Sequence, residues 1–169
     1  MSTNGYSCPV SEPKWLSDAE FRAWIGYRRM RLALDARIAR DLARDSSLSS
    51  ADYDVLSALS EEDGRRFRLS ALAARMLWSK SRLSRHISRM EERGLVVRED
   101  SPDDGRGADI VLTAEGLRAI MAAAPDHVVS VRKHFIDLLT PNELRVLANL
   151  AEKVVAALPE GGDDLGHPG

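Results

Sequence analysis

The sequence predicts a mainly α-helical protein carrying one small β-hairpin. Apolar residues recur with a helical period over most of the chain, and Ser or Thr caps stand at the heads of those stretches. Two apolar runs, Leu95-Val96-Val97 and Asp109-Ile110-Val111-Leu112, instead flank the turn-rich Ser-Pro-Asp-Asp-Gly-Arg-Gly.

Ser17 with Glu20 forms a capping box for a first helix that runs through Phe21, Trp24, Ile25, Leu32, Ile38 and Leu42 to about Arg44. Ser49 or Ser50 caps a second helix through Tyr53, Leu56 and Leu59, which stops near Glu62-Asp63-Gly64. An extended piece, 65–69, leads to Ser70, which is expected to cap a compact helix over 71–77. Trp78-Ser79 breaks it before a further helix, 80–93, closed by Gly94 as a left-handed cap. Two short helices joined by a tight turn suggest a helix-turn-helix, and the hairpin directly after them makes a wing. Thr113 then opens a long helix expected to reach Leu139, with Pro125 bending it. Thr140-Pro141-Asn142-Glu143 opens the last helix, whose Leu144, Leu147, Leu150, Val154, Val155 and Leu158 form one apolar stripe.

The 169 residues suit one domain with tails; 24 Lys+Arg against 26 Asp+Glu leave a net charge of −2. With 44% hydrophobic and 30% charged residues the chain reads as globular, and it has no 18-residue apolar run. No basic cluster followed by an apolar stretch stands at its head, so a cytoplasmic location is expected. A lone cysteine, Cys8, excludes an internal disulfide framework and lacks a resolving partner for redox sensing. His127 and His134 share a helix face without a third ligand at suitable spacing, so no metal or cofactor is expected. No phosphate loop, nucleophile elbow or HExxH is present, and the reading is not an enzyme.

Charge is unevenly spread. Residues 65–98 hold ten basic residues against Glu91 and Glu92, a net +8, which leaves −10 on the rest. Such an asymmetry suits a phosphate-facing surface in an otherwise DNA-repelling body. On the helix 80–93, Leu83, Ile87 and Met90 fall on one face and bury it. Ser81, Arg85 and Ser88 point the other way, flanked by Arg82, Ser84 and Arg89. Short hydroxyls let the backbone approach a major-groove floor, where Arg bonds guanine O6 and N7. Ser70, Ser79 and Lys80, at the openings of the two helices, complete that contact set. In the hairpin tip Arg106 stands between Gly105 and Gly107, suited to a narrow minor groove, and Asp104 braces it or an arginine of the helix. The competing reading makes the basic helix a docking face for an acidic protein; the Ser/Arg alternation and the glycine-flanked Arg106 argue against it.

Gly94-Leu95-Val96, Asp104-Gly105-Arg106 and Leu112-Thr113 with Gly116, placed after a helix-turn-helix, resemble the MarR (multiple antibiotic resistance regulator) family over about residues 15–158. The resemblance implies a winged helix-turn-helix whose N- and C-terminal helices form a dimerisation body, with the reading helix in the major groove and the wing arginine in the minor groove. The division that follows is a tail over 1–14, a dimerisation helix over 15–48, the DNA-binding domain over 49–113, dimerisation helices over 114–158, and a tail over 159–169. The stripes on the first and last helices argue for the dimer independently, since they need more partners than one small winged helix provides. Many members are repressors released by a small phenolic or lipophilic ligand, and the resemblance places that pocket between the body helices and the reading head. Trp24, Tyr27, Arg31 and Tyr53 are the candidates for it here. Asp109, an acid just beyond the tip, departs from the usual wing and is expected to weaken a phosphate contact there. The function read is a sequence-specific double-stranded DNA-binding transcription regulator of the repressor type, acting as a homodimer on a palindromic operator, with no membrane partner.

Overall fold

Residues 13–100 and 107–158 are described by a computed structural model of the chain. Two units are distinguished, 1–35 and 36–169. The elements in chain order are α1 (Asp18–Asp45), α2 (Ser50–Glu61), β1 (Arg66–Arg68), α3 (Leu69–Arg75), α4 (Lys80–Glu92), β2 (Val96–Asp100), β3 (Ala108–Leu112), α5 (Ala114–His134) and α6 (Pro141–Ala157). The fold is thus mainly helical with a small antiparallel sheet, as the periodicities predict.

Helix starts follow local chemistry. At the head of α1 the Ser17 backbone N–H donates to Glu20 Oε2 at 2.8 Å, the reciprocal bond of a capping box. Ser49 and Asp52 form the same device for α2, and Thr140 and Glu143 for α6, where Pro141 takes the first turn. Thr113 caps α5 by accepting from the Gly116 N–H at 2.9 Å. Two expectations need correction. Ser70 does not cap α3: the helix begins at Leu69, and Arg68 holds the cap position without a side-chain capping bond. Helix α5 ends at His134 rather than Leu139, because the Phe135 backbone leaves helical space at φ −142° and a 3-10 turn over Ile136–Leu138 follows.

Among the described residues, β1, β3 and β2 form one three-stranded sheet in that order. The hairpin pairs Val96 with Leu112 and Arg98 with Ile110, while β1 adds on the other side, Phe67 opposite Ile110. The extended piece expected over 65–69 is the strand β1, which pairs along the edge of β3.

The second unit has one hydrophobic core. Val55, Leu56 and Leu59 from α2, Leu72 from α3, Leu83, Ile87 and Met90 from α4, and Val96 and Ile110 from the sheet are fully buried. Each such side chain contributes about 1.5–3 kcal/mol of transfer free energy. Ile120 and Ala123 join the cluster from α5. A second tie between α1 and α5 is polar: the buried Asp41 accepts from Ser130 Oγ at 2.8 Å and lies 2.9 Å from His134 Nε2. In the first unit α1 leaves Phe21, Trp24, Tyr27, Met30 and Leu32 exposed, and in the second α6 buries no residue at all.

Candidate nucleic-acid interface

The face of α4 opposite the core is basic. With Leu83, Ile87 and Met90 inside, Ser81, Arg82, Arg85 and Arg89 are exposed, and no acid precedes Glu91 along the helix. Ser79 opens α4, its Oγ accepting from the Arg82 N–H at 3.3 Å and lying 3.3 Å from Ser81 Oγ. Lys80 is exposed beside it, and Ser70 is exposed on the first turn of α3.

The arginines are held differently. The Arg82 guanidinium lies 4.0 Å above the Trp78 ring, and Trp78 in turn meets the His86 imidazole edge-on at 5.5 Å. Trp78, Arg82 and His86 are four residues apart, so one stripe of α4 continues into the turn before it. A guanidinium held over an aromatic face still has N–H donors to offer a phosphate or a base edge. Arg89 Nη2 lies 3.0 Å from His86 Nδ1. Arg85 makes no hydrogen bond or ion pair with another described residue.

Asp52 anchors the far end of the same helix. Arg93 Nη1 reaches it at 2.8 Å and His86 Nε2 faces it at 3.2 Å. Burial pushes the Asp52 carboxyl up, but Arg93 and the Ser49 backbone and hydroxyl outweigh it and hold the group below its ordinary range. Burial lowers the His86 imidazole, against the pull of Asp52, so it stays neutral where a free histidine begins to charge.

Ser84 and Ser88 are half-buried, and both meet the guanidinium of Arg98 on β2: Nη2 donates to the Ser84 carbonyl at 2.7 Å and Nη1 to Ser88 Oγ at 3.2 Å. Asp109 is buried, with Oδ1 4.0 Å from Arg68 Nε across the β1–β3 pair. Asp104 and Arg106 lie outside the described residues. Trp24 and Tyr27 stack at 6.0 Å, and they and Arg31 belong to the first unit. Tyr53 belongs to the second, where its ring lies 4.1 Å from that of His127. Trp78, Glu91 and Arg98 are the members that sequence reasoning missed; the four-residue spacing from Trp78 to Arg82 was a usable signal for the first.

The wing, the basic helix and their order match known proteins. A family model described as MarR family matches residues 46–107. The crystal structure of AbsC, a MarR family transcriptional regulator from Streptomyces coelicolor, is similar at 42% identity and a TM-score of 0.82, over 85% of this chain and 97% of that one. The chain belongs to the MarR family of transcriptional regulators. A second MarR family member from Streptomyces coelicolor, Sco3205, solved in complex with DNA, is similar at 34% identity and a TM-score of 0.84, over 92% of this chain and 97% of that one. The transcriptional regulator HosA of Escherichia coli O111:H- is 30% identical over 131 residues, 78% of this chain and 95% of that protein. As a MarR family member the chain is a regulator of transcription and not an enzyme, and its three-stranded sheet is the winged-helix sheet of that family.

Proposed function

We propose that this chain binds double-stranded DNA sequence-specifically in the cytoplasm as a homodimer, lays α4 in the major groove of each half of a palindromic operator, and represses transcription until a small phenolic or lipophilic effector releases it. The observation that carries the reading is the outer face of α4, which presents Ser81, Arg82, Arg85 and Arg89 with no acid among them. The Sco3205 complex with DNA supports it, being formed by a protein of the same fold. For the dimer, the support is the exposed apolar stripe of α6, Val146, Leu150, Val154, Val155 and Leu158, together with the exposed Trp15, Phe21 and Trp24 of the first unit. Two-fold symmetry then sets half-site centres about 10 base pairs apart. Trp24, Tyr27, Arg31 and Tyr53 remain the residues proposed for the effector.

The test is a fluorescence-anisotropy titration of the purified protein onto a palindrome-containing fragment from upstream of its own gene and onto a random fragment, at several salt concentrations. Salt-steep binding with a preference of at least about 10³-fold supports the reading. Arg85→Ala should cost about 1–3 kcal/mol on the cognate fragment and little on the random one. Equal losses on both would remove Arg85 from base reading, and no binding to any DNA at low salt would favour an acidic protein partner.

A further inference from the structure

Between α4 and the wing the chain turns through Gly94 at φ 69°, with the Gly94 and Leu95 N–H groups donating back to the Glu91 and Met90 carbonyls of α4. Arg98 adds a side-chain clamp across that turn. From β2 its guanidinium reaches back along one face of α4. Nη2 donates to the Ser84 carbonyl at 2.7 Å and lies 3.3 Å from Ser84 Oγ. Nη1 donates to Ser88 Oγ at 3.2 Å and to Glu91 Oε2 at 2.5 Å. The Arg98 backbone N–H donates to Glu91 Oε1 at 2.9 Å, so one carboxylate grips both the main chain and the side chain of the same residue. Residues 84, 88 and 91 span two turns of helix, about 10 Å, so the clamp resists tilting as well as sliding. Both charged side chains are more than two-thirds shielded, at 29% and 27% exposure, which limits screening by solvent and salt.

We propose that Arg98 is a positioning residue for DNA recognition: clamped to Ser84, Ser88 and Glu91, it fixes the angle between α4 and the wing so that both reach the duplex in one register. The proposal rests on the DNA-binding reading given above. It also reassigns two hydroxyls. Ser84 and Ser88 face the clamp, and base reading falls to Ser81, Arg82, Arg85 and Arg89. Two contact elements held rigidly lose their orientational freedom once; two elements on a loose joint lose it twice, and a wrong register of the helix is no longer penalised by a misplaced wing.

Positioning and direct phosphate contact give opposite results in the full-length protein. Arg98→Lys keeps the positive charge but cannot form the planar fork. The clamp predicts a roughly ten-fold or greater loss of preference for the operator over random DNA, as large as in Arg98→Met. Glu91→Gln removes a negative charge beside the duplex, which by electrostatics alone tightens all DNA binding; the clamp predicts instead that operator affinity falls relative to random DNA. In an Arg98→Met background, the further loss of operator preference caused by Glu91→Gln or Ser88→Ala should be smaller than in the wild type. Melting temperatures measured alongside separate this from unfolding, and Ser88→Ala, which removes the bond from Arg98 and one to the Ser84 carbonyl but no charge, gives a smaller loss of the same sign in a protein that stays folded. Wild-type preference retained by Arg98→Lys, or equal tightening on both DNAs by Glu91→Gln, overturns the clamp while leaving DNA binding intact. Wild-type protein that binds no DNA overturns both readings.

Discussion

The Cβ that Gly116 lacks would stand 2.0 Å from the carbonyl oxygen of Leu95 and 2.8 Å from Leu112 Cδ1. That carbonyl also takes the Thr113 backbone N–H at 3.3 Å and shares the Thr113 hydroxyl, at 3.0 Å, with the carbonyl of Gly94. The first turn of α5 is therefore pressed directly onto the joint between α4 and the wing. In an ordinary helix interior Gly→Ala stabilises by about 1 kcal/mol. Here Gly116→Ala should destabilise by about 3 kcal/mol or more, because backbone cannot yield as a side chain does. Urea melts give the sign, and a more stable variant would show that the contact relaxes.

Leu77 offers the reverse case. It closes α3 at φ 53° and is 83% exposed, so a bulky residue holds a left-handed conformation with almost no packing in return. That conformation costs a side chain with a Cβ about 1–2 kcal/mol. Leu77→Asn should recover about 0.5–1 kcal/mol of it, seen as a higher urea midpoint at unchanged slope.

Trp78 is expected to act on DNA through Arg82. Trp78→Phe keeps an aromatic platform with a weaker face, and should lower operator affinity a few-fold while the fold persists. In a double-mutant cycle with Arg82→Ala the two effects should fail to add by about 0.5–1 kcal/mol. Simple additivity would show that the stack does not steer the guanidinium.

Asp41 sets the acid limit of the α1–α5 tie. The Ser130 hydroxyl is the largest influence on it, working against burial and helped by Arg37, His134 and Arg44, and together they bring it down to about 2 from 3.8. A depressed carboxylate stabilises the fold fully above its unfolded value and loses that contribution as pH falls toward the folded one. Stability should therefore drop between about pH 4 and about pH 2 more steeply in the wild type than in Asp41→Asn. Parallel curves for the two proteins would place the acid transition elsewhere.

Val154, 58% exposed in the middle of the α6 stripe, probes the proposed dimer. Val154→Arg should leave the helical circular dichroism unchanged, shift sedimentation to the monomer, and weaken operator binding about 100-fold or more by removing the second half-site. A variant that sediments as a dimer would move the interface off α6.

Much of this architecture was legible in the sequence because it is local. Leu83, Ile87 and Met90 mark the buried face of α4 by spacing alone, and Ser49, Thr113 and Thr140 announce helix starts through bonds to residues three positions away. What could not be read depends on partners distant in the chain. The extended piece over 65–69 was legible, but its pairing with Val111–Asp109 was not. Ser70 has the chemistry of a cap, but Leu69 enters the helix straight from the strand before it. Helical spacing puts Ser88 on the outer face and Ser84 on its flank, and only an arginine on the following strand shows what they bind.

The strand order β1-β3-β2 places the most apolar strand in the middle, paired on both sides, and leaves the short β1 and the charged β2 as the rims. Arg66 and Arg68 stand on one rim, and Arg98, Glu99 and Asp100 on the other. A stray strand approaching either side meets charge, and on β2 charge of both signs, so ribbon-to-ribbon growth is disfavoured. The folded chain therefore offers no apolar sheet edge among the described residues for a second copy to extend.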